Sequence, residues 1–215
     1  MGGREENTAD RILDAAEKLF ADYGFAGTAV RDIASAVDLN PASLYNHFPS
    51  KEGIYEAVID RGLQPIFEEF RTMATMAGGQ WSREVAWRGV DAILAHFAAK
   101  PHLAKLVQQE AMSGGDNLAR LASRWLAPMF SNGVSLLSNN PRFEGWEPHE
   151  LPLLMATLNN LVIGYFANAS LLARLLGEDP LSPDAQEKHR LFLHEAIRRL
   201  LGGGSGRGPD ALPEV

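Results

Sequence analysis

Ala42, Ser43 and Asn46 lie within one short stretch, flanked by Tyr45, His47 and Lys51. At roughly 100° per residue, a helix that turns Leu44 and Phe48 inward turns Ala42, Ser43 and Asn46 outward, with Tyr45 and His47 on its flanks. That face has short side chains in the middle and hydrogen-bonding groups at the edges. It can approach the floor of a DNA major groove, where an Asn amide pairs with an adenine edge, a Ser hydroxyl takes several partners and an Ala methyl meets thymine. Tyr45, His47 and Lys51 are then placed to meet phosphates.

The flanking sequence supplies the elements that would hold this face. Thr28 is a good N-cap, and Val30, Ile33, Ala34 and Val37 follow it at the spacing of a single apolar helical stripe. After the turn Asp38-Leu39-Asn40, Asn40-Pro41 starts a second helix, with a side-chain acceptor at the cap and a ring already set to a helical φ. Upstream, Ile12, Leu13, Ala16, Leu19, Phe20 and Tyr23 predict a helix from about Thr8 to Tyr23, capped by Asn7 or Thr8 and ended by Gly24 in a left-handed conformation. Downstream, Ser50 caps a fourth helix running from Lys51 to about Met76, which carries Ile54, Tyr55, Ala57 and Val58 into the same core. Pro65 removes one backbone donor from that helix and should bend it near Arg61.

From about Thr8 to Ile59 the chain resembles, without a gap, the DNA-binding domain of the tetracycline-repressor (TetR) family of bacterial regulators. The matching stretches are ILDAAEKLFADYGFAGTAVRDIA and LYNHFPSKEGIYEAV. The resemblance implies that Leu44 to Phe48 belongs to a recognition helix and that Thr28, Tyr45, His47 and Lys51 hold the DNA backbone. Asp38 stands where the family usually has Gly in the turn, and Asp tolerates a left-handed backbone better than most residues. The candidate DNA-contacting set is Thr28, Arg31, Asn40, Ala42, Ser43, Tyr45, Asn46, His47 and Lys51.

Composition sets the frame. The 215 residues, 46% hydrophobic, can bury a substantial core. With no cysteine there are no disulfides or thiolate metal sites, which accords with a reducing cytoplasm. The N-terminal MGGREENTADR lacks the apolar region of a signal peptide. A net charge of −7 argues against a general nucleic-acid coat, and the first 55 residues hold five Lys/Arg against nine Asp/Glu. Local positive potential must come from Arg31, Lys51 and helix N-termini, so binding should be weak except on the right sequence.

The remaining chain reads as helices throughout. Ala77-Gly78-Gly79-Gln80 breaks the pattern, Ser82 restarts it through Phe97, and Pro101 opens a helix stopped by Ser113-Gly114-Gly115. Another runs from about Asp116 to Leu137 with Leu118, Leu121, Trp125, Met129, Phe130 and Val134 inward and Pro128 bending it. Asn139 to Pro148 is a loop whose Phe143 and Trp146 tuck back onto the body. Residues 149–176 are apolar on nearly every face. The length would suffice for a membrane span, but Asn159, Asn160, Asn168, Arg174 and the helical context on both sides argue against one. Such a helix must be buried against its own domain and something more. Ser182-Pro183 opens a last helix, and a flexible tail follows from Gly202.

The fold class is therefore all-α, of about nine helices. A helix-turn-helix unit occupies 1–55, helix 4 links it over about 51–76, and a ligand-binding and dimerisation domain occupies 56–201, with 202–215 as tail. Two antiparallel helices from each of two chains would make a four-helix interface, for which Leu158, Val162, Phe166, Phe192, Ala196 and Leu200 are candidates. One recognition helix reads too few base pairs, so a homodimer on a palindromic operator is expected. From the family resemblance, a small-molecule effector in the larger domain would alter head spacing through helix 4 and release the DNA. Candidate pocket groups are His96, Gln109, Met112, Trp125, Asn159 and Tyr165, polar or polarisable residues on apolar faces, although a single Trp, Met or Asn so placed is more often core. Their company favours a hydrophobic or amphipathic ligand. No cofactor or metal is implied. No catalytic glycine-serine elbow, zinc helix, P-loop or dinucleotide fingerprint occurs, which argues against an enzyme. A repressor is favoured over an activator, and a DNA-binding dimer without an effector is the other alternative.

Overall fold

The computed structural model describes residues 8–76, 83–114, 116–139 and 146–202, and among these every regular element is a helix. They are α1 (Thr8–Gly27), α2 (Val30–Ala36), α3 (Pro41–Tyr45), α4 (Lys51–Met76), α5 (Arg83–Ala99) and α6 (Pro101–Ser113). Then α7 runs through three contiguous segments, Asp116–Leu121, the π-helical turn Ala122–Leu126 and Ala127–Ser138, and α8 (Glu150–Ala167), α9 (Ala169–Leu176) and α10 (Pro183–Gly202) follow. The Gly78-Gly79 break, Ser82, Asn7, Phe143 and the tail after Gly202 lie outside the described residues.

The tenth helix arises because the apolar run 149–176 is two helices rather than one. Asn168 caps α8, and its side-chain amide donates to the Gly164 carbonyl at 2.9 Å while its own carbonyl receives Leu171 and Leu172 N–H, each at 2.9 Å. An Asn that takes up backbone groups in this way competes with the helix it sits in. In α7 the Ala127 N–H bonds the Ala122 carbonyl five residues back. This widened turn lies immediately before Pro128, which has no N–H to continue the regular ladder.

The first three helices and the start of α4 share one core. Ile12, Ala16, Phe20, Ile33, Ala34, Leu44, Ile54 and Val58 are wholly enclosed, and burying each large side chain there contributes about 1.5–3 kcal/mol. Phe20, Phe25 and Tyr55 pack beside it, with both contacts to Tyr55 edge-on at ring separations of 5.2 and 5.1 Å. The α1 helix does not stop at Gly24. The chain breaks there at φ +74, ψ 169, not the left-handed helical value expected, and then makes a further short turn to Gly27.

Behind this core, α6 is the element that α1 and α8 both pack against. Leu103 and Leu106 of α6 are fully buried, and α4 approaches closely enough at Gly62 that a β-carbon would lie 2.5 Å from Leu103 Cδ1. Val162 and Phe166 are also buried, Phe166 lying 6.2 Å from the Phe97 ring. Apolar positions of α8 thus serve this chain's own interior, while Leu153 of α8 and Leu171, Leu175 and Leu176 of α9 are exposed.

Candidate nucleic-acid interface

The two helices that carry the candidate contacts are fixed at both ends of their turn. At the end of α2, Asp38 takes φ +58, a conformation open to Asp at modest cost, and Leu39 N–H reaches back to the Ala34 carbonyl at 2.9 Å. Arg11 of α1 adds a bond to the Val37 carbonyl at 3.1 Å, a cross-helix cap with no local sequence signal. Asn40 then caps α3, its Oδ1 accepting the Ser43 N–H at 2.8 Å, with Pro41 in the first turn. The regular helix ends at Tyr45, shorter than the Pro41–Phe48 span expected. His47 and Phe48 N–H groups both bond the Leu44 carbonyl, so the chain tightens as it turns towards α4. Ser50 Oγ accepts the Gly53 N–H at 3.1 Å and starts α4.

On this frame Arg31, Asn40, Ala42, Tyr45, Asn46 and His47 are exposed, and Ser43 is half-buried beside them. Leu44 on the opposite side is enclosed, as the periodicity requires. Lys51 holds its ammonium 4.3 Å above the Phe25 ring, a placement that orients the cation without neutralising it. Thr28 is different. It is 3% exposed, and its hydroxyl lies 3.1 Å from the Leu19 carbonyl and 2.9 Å from that of Gly24. It therefore ties α1 to α2, its side chain does not face outward, and the N-cap of α2 is Ala29 without a side-chain bond.

Two of the polar contacts that join this unit to the rest of the chain reach α6. Lys105 of α6 pairs with Asp22 of α1 at 2.9 Å. More deeply, the Tyr55 hydroxyl donates to Glu110 Oε2 at 2.7 Å with both residues buried. Burial first, then the Glu110 carboxylate, pushes the Tyr55 pKa far above its ordinary value, so the hydroxyl keeps its proton.

The six candidate pocket residues do not converge. Met112 is 79% exposed and Asn159 is exposed, their apolar neighbours on the helix having turned inward without them. Trp125 donates to Asp60 Oδ1 at 2.9 Å, alongside an Arg124–Asp60 ion pair at 2.7 Å, and so fastens α7 to α4. Tyr165 donates to the Pro180 carbonyl at 2.8 Å and stacks on His189 at 3.6 Å. Gln109 buries its Oε1 with no partner among the described residues.

Of the six, His96 lines a cleft between α4 and α5. This cleft of about 260 Å³ lies between Pro65, Ile66, Glu69 and Phe70 of α4 and Ala92, Ile93 and His96 of α5. The Arg61 carbonyl, which proline at position 65 cannot serve with an N–H, receives Lys100 Nζ at 3.4 Å. The next carbonyl, that of Gly62, lies 2.8 Å from His96 Nε2. A carbonyl only accepts, so Nε2 carries the hydrogen.

Among the six candidate interface residues, Phe192 and Leu200 are exposed, at 68% and 47%, and Leu158 and Ala196 are half-buried. Val162 and Phe166 are the exceptions already placed in the core: both are buried, and Phe166 lies against the Phe97 ring of α5. Leu191, at 55% exposed, was not singled out from sequence and extends the apolar surface of α10. No helix among the described residues is long and apolar enough to cross a membrane.

Residues 12–58 match the family described as bacterial regulatory proteins, tetR family. A Bacillus subtilis (strain 168) relative named "Probable HTH-type transcriptional regulator YttP" is 23% identical over 177 residues, 82% of this chain and 86% of that protein. Over 47 residues the chain is 51% identical to IcaR of Staphylococcus aureus (strain Newman), a negative transcriptional regulator of the biofilm operon icaADBC; that match spans 22% of this chain and 25% of IcaR. Among solved structures, the ketosteroid transcriptional regulator KstR2 of Mycobacterium tuberculosis superposes with a TM-score of 0.67 at 21% identity, covering 94% of this chain and 97% of that one. This last likeness carries the fold over 94% of the chain.

Proposed function

Because residues 12–58 place this chain in the tetR family of bacterial transcriptional regulators, we propose that it acts in the cytoplasm as a homodimeric repressor of a palindromic operator. A small molecule bound in the larger domain would release it. In this reading 1–55 is the DNA-binding unit and 56–201 the ligand-binding and dimerisation domain. The observation that carries it is the capped turn at Asn40, which supports α3 rigidly and turns Ala42, Tyr45, Asn46 and His47 to solvent. Ala42, Ser43 and Asn46 would address base edges, while Arg31, Tyr45, His47 and Lys51 hold phosphates. The likeness of the head to IcaR, a negative regulator, favours repression.

Two copies follow from physics and from surface. A single short recognition helix discriminates poorly against a genome of competing sites, whereas a two-fold pair reads two half-sites about 34 Å apart. The exposed Leu153, Leu171, Leu175 and Leu176 with Leu191, Phe192 and Leu200 offer an apolar surface for the second copy. Selection of bound duplexes from a randomised pool tests the proposal. Enrichment of an inverted repeat with half-sites about one helical turn apart is the expected result, and a pool with no enriched motif would overturn it.

A further inference from the structure

The cleft between α4 and α5 has an asymmetric chemistry. Its walls are apolar, from Ile66, Phe70 and Ile93, and among the described residues its lining includes no lysine or arginine. Glu69 is the charged group of the described lining, and the neighbouring Arg71 of α4 is bound by Glu68. An ionised carboxylate only accepts hydrogen bonds. His96 adds a second acceptor, because Nε2–H is committed to the Gly62 carbonyl at 2.8 Å and the other ring nitrogen of a neutral imidazole carries a lone pair. Burial lowers the His96 pKa, which keeps the ring neutral. A ligand that brings only acceptors, such as a carboxylate, would meet repulsion here, whereas one that brings donors and positive charge would be matched.

We propose that this cleft binds a small lipophilic amine in its ammonium form, the nitrogen against Glu69 and the apolar body between Ile66, Phe70 and Ile93. This names the effector class of the regulatory reading above and rests on that reading only for the effect on DNA. The route to the head is short. His96, in the lining itself, and Lys100, just past the end of α5, hold the Gly62 and Arg61 carbonyls near Pro65, and α4 runs back from there to Lys51 beside α3. A ligand that parts α4 from α5 competes with those two bonds and biases the direction in which α4 leaves the head.

The test uses the full chain and three probes with one apolar body: 4-phenylbutylamine, 4-phenylbutanol and 4-phenylbutanoate, titrated calorimetrically in the absence of DNA. The amine should bind about tenfold tighter than the carboxylate. Glu69→Gln should weaken the amine about threefold to fivefold and leave the alcohol unchanged, the range for a partly exposed ion pair. Ala92→Phe, which fills the cleft, should abolish both; should that variant not fold, Glu69→Gln at an exposed position still decides. Equal or tighter carboxylate binding, no saturable amine binding, or amine binding indifferent to Glu69→Gln would each overturn the proposal. Amine binding that leaves operator affinity unchanged would instead refute the regulatory reading and leave the amine site standing.

Discussion

Replacing Tyr55 by Phe removes one buried bond and almost no volume, and it isolates the contact between the first helices and α6. Tyr55 is 3% exposed and Glu110 is 6% exposed, so water cannot replace the lost hydroxyl. Among the described residues, Glu110 would keep the weaker approach of Ser113 Oγ at 3.3 Å. A hydrogen bond to a charged group is worth about 1.5–3 kcal/mol, and leaving the buried carboxylate under-solvated places Tyr55→Phe at the upper end, about 2–3 kcal/mol. Glu110→Gln retains an acceptor for Tyr55 and should lose about 1 kcal/mol. The double variant should then show a coupling of about 1.5–2 kcal/mol between the two positions. Urea unfolding at fixed protein concentration measures all three, and the corresponding fall in Tm for Tyr55→Phe would be roughly 4–10 °C. A Tyr55→Phe loss below about 0.5 kcal/mol, or strict additivity in the double variant, would refute the claim that this bond holds the joint.

Three further perturbations address the surface and the body. Asn46→Ala should weaken binding to a selected operator by about 1–3 kcal/mol and relax preference at one base position; a repeat selection that returns the same motif at every position would contradict the assignment. Lys51→Ala should weaken binding on all sequences alike and flatten the salt dependence by about one charge, measured by titration at several ionic strengths. Burial holds the His189 imidazole near pKa 4 against an ordinary 6.5. The unfolded chain therefore binds a proton first as pH falls, so stability declines from about pH 6.5 towards 4, by on the order of 1–2 kcal/mol after solvent screening of a half-buried ring. His189→Phe should remove that part of the slope in denaturation curves taken across this range.

How much of this was legible in the chain depends on the distance over which each feature is decided. The Asn40-Pro41 start, the Ser50 cap, the tolerance of Asp38 for a left-handed backbone and the inward Leu44 are settled within a few residues, and all four are visible as residue types at fixed offsets. The capping of α2 by Arg11 spans 26 positions and has no local signature. Thr28 shows the complementary error: its type suits an N-cap, but a tertiary competitor, the pair of α1 carbonyls at Leu19 and Gly24, takes the hydroxyl. In the body, periodicity identified helices without identifying what each face meets. Val162 and Phe166 turned inward, because a run apolar on every side carries no phase information to say which face meets the core. The cleft beside Pro65 was missed for a similar reason. It is built from Glu69 and His96 on separate helices whose pairing sequence spacing does not specify.

The central claim is that the α3 surface reads sequence, and not merely charge. It is tested most directly by the ratio of affinities for a selected palindrome and for unrelated duplex, measured at physiological salt. A ratio of about a thousandfold or more, with two protomers on each palindrome, is what this arrangement predicts. A ratio near one would mean that Ala42, Ser43 and Asn46 do not meet base edges.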